Sequence, residues 1–151
     1  MQEPNLGLIA NHLYTPSYVS LKFALRYYGL IPEQVNIITN ITTNHTRRFD
    51  NAFGTFTYYG VGHEYFAVGI TSHIESERTY LIATPEKALI DKLVFTSYIP
   101  TSVCGLQRFL EEDMRFDTST IKQLNIPLTQ ECMKIAPKRT IIQNLITLCQ
   151  R

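Results

Sequence analysis

A chain of 151 residues, 44% hydrophobic and 18% charged, has room for one hydrophobic core and the composition of an ordinary globular protein. A formal net charge of +1 argues against coating nucleic acid by bulk charge and leaves only a local basic patch for that purpose. Cys104, Cys132 and Cys149 have neither the number nor the spacing of a disulfide framework or a zinc site, no window approaches the ~20 apolar residues of a membrane span, and the N-terminal segment lacks the basic and apolar regions of a signal peptide. The expectation is a cytoplasmic protein with reduced thiols, no membrane partner and no metal.

In chain order, Leu6, Ile9, Ala10 and Leu13 form one stripe of a short helix, with Asn5 as its cap and Pro16 as its end. Leu21, Ala24, Leu25 and Tyr28 give a second stripe, with Ser20 the better N-cap and Ser17 the runner-up. Gly29 stands where a left-handed residue is wanted, Leu30 folds back, and Pro32 prevents continuation, so "YYGLIPE" is a helix stop. The pattern then turns to strands. "QVNIITNITT" is β-branched, "TRRFDNAFGTFTYYGV" predicts two strands joined at Asp50 and Asn51, and "YFAVGITSHI" with "RTYLIATP" predicts a further antiparallel pair around "ESE".

From Thr84 the chain reads as helical. Thr84 is the N-cap of "PEKALIDKL", Pro85 its first residue, and Leu89, Ile90, Leu93 and Val94 its apolar face. "CGLQRFLEEDM" and "TSTIKQLN" predict short helices, and "TQECMKIAPKRTIIQNLITLCQ" a longer one interrupted at Pro137. Two helices, a run of strands and then several helices predict a single α+β domain over residues 1–151, with short N-terminal helices, a largely antiparallel sheet and C-terminal helices.

The search for chemistry returns little. "HEYFA" at His63 lacks the second histidine of a zinc-protease motif, and there is no phosphate-binding glycine loop, dinucleotide fingerprint or nucleophile elbow. His12, His45, His63 and His73 show no ligand spacing. Glu86 and Asp91, five apart, do not converge on one helix face, and Lys87 with Asp91 reads as a surface i,i+4 ion pair. No catalytic residue, cofactor or metal follows. Lys22 and Arg26 lie on the second helix away from its apolar stripe, and Arg47 and Arg48, adjacent in a strand, point to opposite faces. These four are the candidate nucleic-acid contacts, through phosphate, with protection of a sheet edge as the plainer reading for the arginines.

Three stretches carry a further signal: "IANHLYTPSYVSLKFALRYYGLIPE", "ITTNHTRRFDNAFGTFTYY" and "YLIATPEKALIDKLVF". Their shared wording at 17–33, 42–58 and 83–91, in order and spacing over residues 9–95, resembles the AbiEi family of bacterial antitoxins, also described as transcriptional regulators of a viral defence system. The resemblance implies a C-terminal antitoxin domain without the N-terminal winged helix that family members use on their own promoter. It implies a noncatalytic domain that opposes a nucleotidyltransferase-like toxin by countering its effect rather than by a stable complex. DNA binding by this chain would then be weak and nonspecific. The alternatives are an accessory nucleic-acid-binding domain of a transcriptional regulator and, less favoured for want of a convergent acid pair, a phosphodiesterase-like enzyme.

Overall fold

Asn5 caps the first helix as its place before the apolar stripe predicts. Its side chain accepts from the Leu8 N–H at 3.1 Å, and α1 runs Leu6–Leu13 in the computed structural model, which describes residues 4–151. Next comes β1 (Ser17–Val19), a three-residue strand that the sequence offers only as the approach to a helix. Three residues are too few for a period of two to register. Pairing fixes it instead, because β1 lies between two longer strands and all three of its residues are buried. α2 (Leu21–Tyr27) follows. It stops as expected: Gly29 has φ 75, its N–H bonds the Arg26 carbonyl at 2.9 Å, and the Leu30 N–H bonds the Leu25 carbonyl at 2.9 Å, the paired bonds of a Schellman motif.

The strands are β2 (Ile37–Thr42), β3 (Arg47–Asn51), β4 (Gly54–Gly60), β5 (Ile70–Glu75) and β6 (Arg78–Ala83), and the sheet order is β3-β4-β2-β1-β6-β5. The turn between β3 and β4 falls at Ala52 and Phe53, beyond the expected Asp50 and Asn51, because those two residues still pair with Thr55 and Gly54. Tyr65 and Phe66 of "YFAV", expected in a strand, instead close the single helical turn α3 (His63–Phe66), which turns Tyr65 inward and leaves His63 and Glu64 exposed.

The fold class is α+β, and the sheet is mixed. β1–β2, β3–β4 and β5–β6 are antiparallel, whereas β2–β4 and β1–β6 are parallel. The connections explain the parallel pairs. Residues 43–46 carry the chain past the width of one strand to the edge, where β3 forms, and the tight β3–β4 turn returns β4 into the gap beside β2, in the direction of β2.

Strand β1 alternates between the layers on either side. Ser17 faces α1, where its hydroxyl lies 3.5 Å from the Ala10 carbonyl, and Tyr18 faces α4 (Pro85–Val94). Seven of the ten residues of α4 are buried, so it is a core helix rather than the amphipathic surface helix that its charges suggest. α2 and α6 (Ile126–Ile135) pack against it, and α7 (Arg139–Gln150) packs in turn against α6, α5 (Val103–Arg108), which continues into a π-helical turn over Phe109–Asp113, and a 3-10 segment over Thr118–Gln123. Pro137 separates α6 from α7. The next residue, Lys138, donates to the Leu93 and Thr96 carbonyls at 3.2 and 2.6 Å, placing a cation on the negative end of α4.

Candidate functional site

The most unusual chemistry lies at the junction of β1, α3 and α4. Lys87 and Asp91 are both completely buried, which overturns their reading as a surface ion pair. The i,i+4 spacing puts both on one side of α4, and the neighbours that close over them come from elsewhere in the chain. Asp91 accepts from the hydroxyls of Tyr18 at 3.0 Å and Ser20 at 2.5 Å through one oxygen, and from the Tyr65 hydroxyl through the other. Tyr18 and Ser20, two apart on extended chain, are presented to the same side. Ser20 occupies the N-cap position of α2, yet its hydroxyl serves Asp91 and makes no cap bond.

Lys87 does not contact Asp91 directly. Its ammonium donates to the carbonyls of Tyr65 at 2.5 Å and Val68 at 2.7 Å, and lies 3.8 Å from the centre of the Tyr65 ring and 5.6 Å from that of Tyr18. Tyr65 therefore joins the two charges: its carbonyl and ring hold the cation, and its hydroxyl serves the anion. Gly69 lets the loop pass this close. Its φ is +83, and a Cβ there would lie 2.7 Å from the Lys87 Cβ.

Burial pushes the Asp91 carboxyl up from its ordinary value, and Lys87 and the three hydroxyls pull it back. Burial pushes the Lys87 ammonium down, and Asp91 opposes that shift. Tyr18 and Tyr65 are pushed up by burial and then by the Asp91 charge, which keeps both phenols as donors. Burial lifts the neighbouring Cys132 thiol to about 11, well away from a reactive thiolate. A fully enclosed carboxylate saturated by hydroxyl donors, beside a lysine held by carbonyls, is suited to fixing the positions of three elements. It leaves no surface for a substrate to approach.

Glu86 and Asp91 diverge as their spacing predicts. The Glu86 carboxylate accepts the Asn125 N–H at 3.0 Å and so docks the start of α6. The four candidate phosphate contacts fall on two separate elements. Lys22 is ion-paired with Glu33 at 2.9 Å, and Arg26 is exposed near the end of α2. Arg47 and Arg48 are both exposed on the edge strand β3 and take opposite faces. Arg47 lies over the Phe49 ring at 4.5 Å, and Arg48 pairs with Asp50 at 3.3 Å. Register puts Arg48 in a row with Thr57 and Thr39 on the face toward α2, and Arg47 in a row with Tyr58 and Asn40 on the other. The four basic residues are therefore not gathered into one patch.

Sequence reasoning passed over Tyr18, Tyr65, Lys87 and Asp91 as a group. Its available signal was the wording itself, "SYVS" and "PEKALID", since periodicity treats Lys87 and Asp91 as the polar side of a surface helix. No family model, curated protein or solved structure matches the chain.

Proposed function

We propose that this chain is a noncatalytic antitoxin or regulatory domain of a bacterial phage-defence system, acting in the cytoplasm against a nucleotidyltransferase-like toxin and opposing its effect rather than holding it in a stable complex. One observation supports the reading: the three stretches that carry the AbiEi resemblance are a single unit in space. Ser17 of the first pairs with Thr42 of the second, and Tyr18 and Ser20 of the first bond Asp91 of the third. The resemblance thus rests on residues that hold one another in place rather than on scattered surface positions. The enclosure of Lys87 and Asp91 favours a noncatalytic role, since the chemically able groups of the motif have no exposed surface. Among the described residues no group of three or more His, Cys, Asp or Glu is placed to hold a metal, and no helix is long and apolar enough to cross a membrane. Co-expression with the product of the neighbouring gene, scored as growth, tests the proposal. Rescue is expected, and failure of a folded domain to rescue contradicts it.

A further inference from the structure

Between α2, the end of α4 and the π-helical turn lies a hollow of about 390 Å³, with Lys22, Glu33, Lys92, Phe109, Asp113 and Arg115 in its lining. Lys22 and Lys92 also line an adjoining hollow of about 140 Å³, beside Tyr59 and Phe95, whose ring centroids are 5.2 Å apart. Lys22 and Lys92 are therefore common to both linings. Glu33 bonds Lys22 at 2.9 Å, and among the described residues Lys92 and Arg115 have no ion pair. Burial and then the Lys22 charge push the Lys92 ammonium down, with Glu33 offsetting in part. Arg115 is held at φ 50, in the left-handed region that a residue with a Cβ rarely adopts, and it lines the larger hollow. Lys22, Lys92 and Arg115 thus share the lining of a partly enclosed hollow with only two carboxylates, Glu33 and Asp113. An added anion would balance the excess of positive charge.

We propose that this groove binds a nucleoside monophosphate, with its phosphate between the Lys22 and Lys92 ammoniums, Arg115 at the mouth and the base in the larger hollow against Phe109. The volume falls within the range of small-molecule sites. An aromatic wall beside paired cations matches a ligand with a flat ring at one end and a dianion at the other. The site needs neither toxin nor promoter and stands or falls apart from the antitoxin reading.

Calorimetric titration of the whole chain at low salt with guanosine monophosphate, inorganic phosphate and guanosine tests it. The monophosphate should bind, inorganic phosphate should bind about tenfold or more weaker, and guanosine should give no heat. Lys92→Gln should weaken monophosphate binding by about tenfold or more, while its unliganded melting temperature stays at or above that of the parent because a like-charge contact is gone. Arg115→Gln should also weaken binding, whereas Arg78→Gln, exposed at the start of β6 toward the opposite edge of the sheet and in the lining of neither hollow, should bind as the parent does. Absence of heat with both phosphates up to about 10 mM overturns the proposal, as does parental affinity in Lys92→Gln. Inorganic phosphate binding as tightly as the nucleotide overturns the nucleoside assignment.

Discussion

The Tyr65 hydroxyl donates to Asp91, a carboxylate with no exposed surface, across 26 residues of chain. That bond ties α3 to the core helix, and with Tyr18 and Ser20 it ties both to β1. Removing the carboxylate leaves three buried hydroxyls without their acceptor and the Lys87 charge without its counter-charge. Asp91→Ala should therefore cost about 3–5 kcal/mol, enough to unfold much of the population of a marginal domain. Lys87→Met should cost a similar amount alone, and Lys87→Met with Asp91→Ala should cost less than the two single changes added together. Urea-melt midpoints for the four chains measure the coupling. Simple additivity would show that the pair does not act as a unit.

Thr84 caps α4 through the Lys87 N–H at 3.2 Å. Thr84→Ala should cost about 1 kcal/mol, the usual loss for an N-cap. Leu89, fully buried on the same helix, should cost more, roughly 2–5 kcal/mol on truncation to alanine. A parental urea midpoint for Leu89→Ala would mean that α4 does not lie at the centre of the core.

Several buried groups hold their protons more tightly in the folded chain than they ordinarily would. Burial raises Cys132 from 9.0 to about 11, and Tyr28 and Tyr80 from 10.0 to about 12. With raised values the folded state binds more protons than the unfolded state across these windows. These three groups therefore leave stability unchanged below pH about 9 and lower it as pH rises through 9 to 12. The depressed Lys87 and Lys92 act with the opposite sign but are outnumbered. Cys132 alone should account for roughly 2–3 kcal/mol by pH 11 and above. Urea midpoints at pH 8 and pH 10.5 give the readout, and Cys132→Ala should show a shallower fall. A flat profile over this range would mean that these groups are open to solvent.

Any binding of duplex DNA should come from phosphate contacts and ignore sequence. Arg47 and Arg48 are exposed, and the winged helix implied for whole family members lies outside the resemblance. Replacing both arginines with glutamine should weaken binding of promoter and scrambled duplexes alike and flatten the salt dependence, by about 1.8 in slope if both touch phosphate. Strong promoter preference by the chain alone contradicts this.

Much of the local structure was legible because its causes are local. The Asn5 and Thr84 caps, the Gly29 stop and the break at Pro137 all stand where the sequence puts them. What was not legible depends on partners distant in sequence. β1 exists because β2 and β6 flank it, and β4 runs parallel to β2 because β3 took the edge. The burial of Lys87 follows from a loop around Gly69 that closes over it, and nothing in the "PEKAL" spacing shows that closure. The same limit applies to the groove: Lys22 was legible as a cation away from the apolar stripe of its helix, but its place beside Lys92 and Arg115 in one lining comes from α2, α4 and the π-helical turn packing together.

Growth of cells producing the proposed toxin, the product of the neighbouring gene, together with this chain, with Asp91→Ala, or with neither, while soluble, folded protein is verified in the same cells, tests the antitoxin proposal most directly. Restored growth is expected with the parent chain and little with Asp91→Ala, in proportion to its loss of folded protein. Arrested growth beside abundant folded parent chain would contradict it.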